Sequence, residues 1–199
     1  MFIHFLYNFA HYQNDKYILS IIYNIKKQIA EIVLTRKLLS EKIPSGKAVN
    51  VSTDQIVFFF NCASTKDLNL IIDFLKKSNT ANKTTSVLAY CDFDIEENKI
   101  EDSNIYIVSQ TDFNVFGGIK GRLLDWLSNN KFDILISFAV GYDLFCNKII
   151  SGLLAEFKAG NFHEQNVHLF DLTIKHKTSR YSEQYKLFNF YLNNLKINI

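Results

Sequence analysis

Proline, cysteine and charged residues are all scarce in this chain. The 199 residues include one proline and 18 phenylalanines. This composition predicts a full hydrophobic core and few long loops. Charged residues make up 21% against 48% hydrophobic ones, which excludes an intrinsically disordered chain. Cys62, Cys91 and Cys146 are widely spaced and form no CxxC pair. They therefore argue against a disulfide framework and fit a reducing compartment.

The N-terminal segment MFIHFLYNFAHY is apolar, yet it lacks the features of a targeting segment. No Lys or Arg precedes it, and His4, Asn8 and His11 interrupt it, so it is a poor secretory signal. It is also far shorter than the ~20 apolar residues that cross a bilayer. We therefore expect a cytoplasmic protein without a transmembrane segment.

Positive and negative charge are segregated along the chain. Asp15–Lys47 contains seven basic and three acidic residues, Ala48–Ile174 ten and sixteen, and Lys175–Ile199 five and one. Basic ends of this kind contact RNA or an acidic partner, or else pack on the acidic body of the same chain, which requires nothing further. The candidate contact residues are Lys26, Lys27, Arg36, Lys37, Lys175, Lys177 and Arg180.

The N-terminal part predicts a separate helical arm. Tyr17–Leu39 repeats apolar residues at intervals of three and four, with basic residues on the opposite side, and this pattern is typical of an amphipathic helix. The stretch SEKIPSGK at residues 40–47 then breaks the helix with a proline and a glycine. We predict an arm over residues 1–47 and an α/β domain over residues 48–199.

The body alternates apolar strands with amphipathic helices. Strands are predicted for QIVFFF, SVLAYC, NIYIVS, FDILISF, EFKAG and VHLFDLTI, and helices for Asp67–Lys77, Ile119–Asn129, Leu144–Leu154 and Ser182–Lys196. The last helix presents Tyr185, Phe188, Tyr191, Leu192 and Leu195 as its docking stripe. Such alternation predicts an α/β three-layer sandwich with a mostly parallel, doubly wound (Rossmann- or flavodoxin-like) sheet of five to six strands, plus N- and C-terminal helices.

The stretch VFGGIKGRLLDWL carries three glycines ahead of a predicted helix. It lacks the first glycine of a dinucleotide fingerprint, where Phe116 stands, and Arg122-Leu123 replaces the Lys-Ser/Thr of a P-loop. A generic helix N-terminus still binds anions, with Lys120 and Arg122 nearby. A tight turn that needs glycine is the favoured interpretation.

The carboxyl ends of parallel strands are where ligands bind in such sheets. Residues that follow the predicted strands are Asn61, Cys62, Ser64, Asp92, Asp94, Ser109, Asp112, Gly141, Tyr142 and Asp143. From these and the glycine loop we select as candidate ligand-binding residues Asn61, Ser64, Asp92, Ser109, Asp112, Gly117 and Gly118. No catalytic residue is assigned.

Metal binding and covalent catalysis have weaker support. Asp92 and Asp94 have the DxD spacing that holds a divalent metal in some sugar-nucleotide transferases, but further acidic residues nearby indicate a merely acidic loop. Cys62 has no histidine near it in sequence, so a buried thiol is the simpler interpretation. His163 and His168 are five residues apart and would not share a helical face. We expect no metal and no cofactor.

Two carboxylates, Asp133 and Asp171, fall within apolar runs and need partners if their strands are central. Lys158 is one hypothetical partner.

The order and spacing of TDFNVFGGIKGRLLDWL, FDILISF, LLAEFKAG and FDLTI resemble an uncharacterised family of small α/β proteins known mainly from Bacteroidetes. The resemblance covers roughly Asp54 to Ile174, and a basic helical N-terminal arm is also typical of it. The chain departs from the family at Val115, where an aromatic is common, at Gly118-Ile119, where Lys-Pro is common, and at Ala155-Glu156, which replaces a small residue and Lys. The resemblance implies the fold and no activity.

Without a complete catalytic constellation, the sequence favours a non-catalytic α/β domain that acts through protein or RNA contacts in a larger assembly, with a homodimer as one form of it. One version uses the aromatic segment Phe2–Tyr12 to dock on a partner or a membrane. The alternative is a small-ligand-binding protein or enzyme that uses the carboxyl edge of the sheet.

Overall fold

Six parallel strands form one sheet in the computed structural model, which describes residues 54–77, 84–93, 105–114, 116–195 and 197. The strands are β1 (Gln55–Cys62), β2 (Thr84–Cys91), β3 (Ile105–Val108), β4 (Lys131–Ser137), β5 (Leu154–Asn161) and β6 (Leu172–Ile174). They lie in the order β3-β2-β1-β4-β5-β6, and every neighbouring pair is parallel. The two outermost strands are also the shortest.

Helices cover both faces of this sheet. The described helices are α1 (Thr65–Lys77), α2 (Gly121–Asn129), α3 (Leu144–Gly152) and α4 (Tyr181–Asn194). Side chains of α1 and α4 share one core cluster with one face of the sheet, and side chains of α2 and α3 share a second cluster with the other face. The predicted three-layer, doubly wound α/β sandwich is therefore confirmed.

β1 lies at the centre of the sheet, and its composition explains why. Five consecutive apolar residues, Ile56 to Phe60, are completely buried because β1 has a strand on each side and helices on both faces. Val57 and Phe59 face α2 and α3, whereas Ile56, Phe58 and Phe60 face α1 and α4. A continuous apolar run is what such a doubly covered strand requires.

Aromatic rings fill the layer between the sheet and the helices α1 and α4. Phe60 and Phe138 stack with ring centroids 4.8 Å apart, and Phe74 packs edge-on against both. Along α4, Tyr181 contacts Phe60, and Tyr185 contacts Phe58, which comes earlier in β1. The helix α4 therefore runs antiparallel to β1 and ends towards the amino edge of the sheet.

The predicted strand VHLFDLTI is wrong over its first half. Val167–Leu169 forms a 3-10 turn, closed by the Phe170 amide donating to the Val167 carbonyl, and only Leu172–Ile174 is a strand. The apolar residues of this stretch pack on a helix layer instead of continuing the strand, and Leu169 is buried in the cluster that contains α2 and α3. The Phe170 ring lies directly over Gly160 of β5, where a Cβ atom would clash with it.

All four predicted helices differ from the observed ones at one end or both. The helix α1 begins at Thr65, two residues earlier than predicted, and α2 begins at Gly121, two residues later. The helix α3 ends at Gly152, two residues earlier than predicted, and α4 begins one residue earlier and ends two residues earlier. The docking stripe of α4 is also rotated: Gln184, Phe188 and Leu192 are buried, whereas Tyr191 and Leu195 are exposed. The predicted helix Tyr17–Leu39, its basic residues and the linker at 40–47 lie outside the described residues.

Candidate functional site

The strand order reverses between β1 and β4, and this reversal defines the switch point of the sheet. Ligands of open parallel sheets bind outside the carboxyl ends of the strands at such a point. The structure places Asn61 and Ser64 directly at it, and Asp92, Ser109 and Asp112 further along the same edge, after β2 and β3. These five residues therefore lie at the carboxyl edge of the sheet, where the predicted strands placed them.

Asn61 bridges the switch point itself. Its Oδ1 accepts from the Val140 amide at 3.2 Å, and its Nδ2 donates to the Val140 carbonyl at 3.5 Å. Because Asn61 ends β1 and Val140 lies in the loop after β4, this pair joins the two loops that would flank a ligand. The Asn61 side chain thus links the loop after β1 to the loop after β4.

Ser64 and Asp67 cap the first turn of α1. The Ser64 hydroxyl donates to Asp67 Oδ2 at 2.9 Å, and the Asp67 amide donates back to Ser64 Oγ at 3.2 Å. Asp67 Oδ2 also accepts from the Ala63 amide. Reciprocal bonds of this kind satisfy backbone donors that a helix start leaves unpaired, so both side chains serve the fold here.

The polar residues after β2 and β3 also pair with one another. Gln110 donates through Nε2 to the Asp92 carboxylate, which links the ends of β2 and β3. Asp112 Oδ2 accepts from the Ser109 amide at 2.9 Å, and Ser109 Oγ accepts from the Thr111 amide at 3.3 Å. This capping box organises the 3-10 turn Gln110–Asp112.

The glycine loop forms a closed turn around Asn114. Asn114 Oδ1 accepts from the amides of Phe116 and Gly118, each at 2.9 Å, while the Gly117 amide donates to the Asn114 carbonyl. Gly117 and Gly121 have φ of 73° and 55°, in the left-handed region that favours glycine. Three amides that would face a phosphate therefore point into the loop, as the tight-turn interpretation expects.

The three cysteines are buried and form no disulfide. Cys62 and Cys91 are register partners at the ends of β1 and β2, and the hydrogen bond with Cys91, together with burial, raises the pKa of the Cys62 thiol. Burial likewise raises the pKa of Cys146 well above its ordinary value. Thiols held neutral in this way are poor nucleophiles.

The two carboxylates predicted to need partners accept bonds from backbone amides. Asp133 Oδ2 accepts from the amides of Asp54 and Gln55, at 2.8 and 2.9 Å, where β1 begins. Asp171 Oδ2 accepts from the amide of Lys158 at 2.8 Å. The hypothetical Lys158 partner is thus present, but the contact is made by its main chain.

The ammonium of Lys158 is partly buried at the end of α3. It donates to the Ile150 carbonyl at 2.8 Å, one of the last carbonyls of that helix, which a helix end leaves unpaired. Burial lowers the pKa of Lys158 to about 8, a shift that Asp171 only partly opposes.

A buried polar cluster, which the sequence did not predict, joins β5, β6 and α4. Asn161 Nδ2 donates to Gln184 Oε1 at 3.2 Å and to the Ala139 carbonyl at 3.3 Å, and its Oδ1 pairs with His176 Nε2 at 2.6 Å. Gln184 is completely buried and donates to the Thr178 carbonyl at 3.1 Å. One signal was available: Gln184 stands in line with the buried positions of α4, where a polar side chain must find a partner.

This cluster anchors residues 175–180, which we call the basic loop. The His176 ring and the Thr178 main-chain carbonyl face the cluster, while Lys175 and Lys177 are exposed. Lys175 Nζ lies 5.5 Å from the ring centroid of Phe162, and Arg180 pairs with Glu183 at 3.1 Å. Because residues 176 and 178 are bonded to the cluster, the exposed Lys175 and Lys177 stand at the carboxyl edge on a backbone that is held in place.

The remaining sequence candidates that the structure describes do not assemble into a metal site. The described ranges contain no group of three or more His, Cys, Asp or Glu side chains that could hold a metal ion. The His163 ring stacks on Tyr142 with centroids 5.9 Å apart. Asp94, Lys26, Lys27, Arg36 and Lys37 lie outside the described residues. Within those residues, no helix is both long and apolar enough for a membrane span.

The fold and the edge geometry define the class of this protein as a doubly wound, all-parallel α/β domain with the strand order of dinucleotide-binding sheets. A family model for DUF6913, a family of unknown function, matches residues 24–195. The chain therefore belongs to this family. No curated protein and no solved structure matches the chain.

Proposed function

We propose that this domain is a non-catalytic binding module whose basic loop contacts the phosphates of single-stranded RNA. The observation that carries the proposal is the anchoring of that loop. Lys175 and Lys177 stand on a backbone held from within by His176 and Thr178, so little freedom is lost when a ligand binds.

An exposed aromatic ring complements these cations. Phe162 is 39% exposed at the end of β5, beside Lys175. Proteins that bind single strands without sequence preference combine cations along the backbone with rings on which bases stack. The pairing of Phe162 with the basic loop supports single-stranded RNA over a folded anionic partner.

The engagement of the other edge residues also favours contact over catalysis. Asn61, Ser64, Asp92, Ser109 and Asp112 bond to neighbouring loops and turns, and such bonds fix the edge as a rigid surface. A binding surface gains from that rigidity.

Binding of a fluorescent twelve-nucleotide oligouridine, followed by anisotropy over a range of salt concentrations, tests the proposal. We expect K175Q/K177Q to weaken binding about tenfold at low salt and to reduce the salt slope by about 1.4, because each contacted phosphate of a single strand contributes about 0.7. The matched control is K76Q/K131Q, which removes two exposed lysines near the amino edge. Binding that ignores ionic strength, or equal losses in the two variants, would contradict RNA contact through this loop.

The alternative function is small-ligand binding at the switch point, and the strand order favours it. A panel of nucleotides and dinucleotides should then include one that raises the melting temperature. The shift should disappear in Asn61→Ala, which opens the bridge to Val140, and should persist in K175Q/K177Q. A shift that Asn61→Ala leaves intact would place the ligand elsewhere.

A further inference from the structure

One side of α4 presents apolar side chains to solvent. Leu187, Tyr191 and Leu195 are spaced four residues apart and therefore lie on one side of the helix, with Phe190 beside them. Tyr191 is 44% and Leu195 53% exposed, whereas Phe188 and Leu192 on the adjoining side are buried against the sheet. We call these four exposed or half-buried residues the α4 flank.

The α4 flank approaches the edge of the sheet where the N-terminal segment joins the domain. Because α4 runs antiparallel to β1, its last turn lies towards the amino edge, and the first described residue, Asp54, is at that same edge. The 14 residues from Ser40 to Thr53 span up to about 46 Å when extended. That length easily reaches the flank.

We propose that the apolar stripe of residues 17–39 packs on the α4 flank of the same chain. The stripe repeats Ile at the spacing that fits a second helix, and its opposite side is basic, so docking leaves lysines and arginines in solvent. Both the segment Asp15–Lys47 and the segment Lys175–Ile199, which contains α4, are basic, so the contact depends on the apolar side chains and not on charge. The family match at residues 24–195 includes both most of the stripe and all of α4.

Limited proteolysis of the full chain tests this docking. Trypsin cleaves after Lys26, Lys27, Arg36 and Lys37 only when the segment around them can unfold locally. We expect Y191E/L195E to accelerate these cleavages about tenfold, measured by mass spectrometry, and I25E/I29E to do the same from the other side of the contact. Both substituted positions on α4 are exposed, so the domain itself should keep its melting temperature.

The control variant L70E/L124E places the same two charges on α1 and α2 at leucines that are each 49% exposed. It should leave the cleavage rates at the wild-type value. Equal rates in Y191E/L195E and wild type would overturn the proposal. Protection from trypsin that is lost on dilution, with dimers in light scattering, would show that the flank binds a second copy of the chain. Protection that requires phosphatidylserine vesicles would show that the stripe binds a membrane. Either result would also overturn the proposal.

Discussion

Replacing Phe138 with alanine is expected to lower the free energy of unfolding by about 4 kcal/mol. Phe138 is 1% exposed and follows the end of β4, where its ring stacks on Phe60 and meets Phe58 and Phe188 edge-on. The lost ring leaves a cavity between the sheet and α4, and the rigid neighbouring rings can collapse into it only in part. Urea unfolding followed by circular dichroism measures the change.

Two variants separate this effect from a general sensitivity to losing a phenylalanine. Phe138→Leu retains most of the volume and should cost about 1.5 kcal/mol or less. Phe116→Ala removes a ring that is 60% exposed and lies outside the α4 flank, and it should change stability by about 0.5 kcal/mol or less. Similar losses for Phe138→Ala and Phe116→Ala would show that the aromatic layer does not hold α4 to the sheet.

Lys158 should make stability depend on pH in the alkaline range. Its pKa falls from 10.5 in the unfolded chain to about 8 in the folded domain, so the buried ammonium costs about 3 kcal/mol at neutral pH. That cost is fully present below pH 8 and disappears as pH rises towards 10.5, because the folded state loses the proton first. Relative to Lys158→Met, the wild-type protein should gain about 2 kcal/mol between pH 7 and pH 9.5.

The difference between the two proteins is the quantity to measure. Buried cysteines and tyrosines whose pKa is raised, such as Tyr181 at about 12, destabilise the folded state at alkaline pH, but they do so equally in both proteins. Lys131→Met, at an exposed lysine on the neighbouring strand, is the matched control and should show no trend. A flat difference for Lys158→Met would mean that the ammonium is solvated in the folded state.

The sheet was largely predictable because its central strands are buried on both faces. QIVFFF and FDILISF are apolar runs without helical spacing, and the first became β1 within two residues of its predicted end. Helical spacing located α1 to α4 for the same reason: one side of each helix packs on the sheet. The strand order, by contrast, follows from which faces the helices cover, and no local pattern encodes it.

Local pattern failed where tertiary packing decides the conformation. Val167 and Leu169 alternate as in a strand, yet Leu169 turns inwards in a 3-10 turn because the chain must pass over Gly160. In α4, Tyr191 and Leu195 fit the helical stripe but face solvent. Gln184 is in line with the buried positions, and its bonds with Asn161 and with the Thr178 carbonyl hold this polar side chain in the core.

The candidate edge was predictable and its chemistry was not. Strand ends pointed to Asn61, Asp92 and Ser109, since parallel strands bring their carboxyl ends together. The contacts of Asn61 with Val140, 79 residues away, and of Asn161 with Gln184, 23 residues away, depend on the fold as a whole. Sequence spacing carries no record of such pairs.

The outermost strands of the described sheet are too short to pair extensively with a strand of another molecule. In the described part of the sheet, β3 has four residues and β6 three, so each lateral border offers few main-chain donors and acceptors to a strand of another molecule. Longer outer strands would expose more unpaired main-chain groups and would favour aggregation through strand pairing. The short outer strands therefore disfavour a continuous sheet that extends from one molecule to the next.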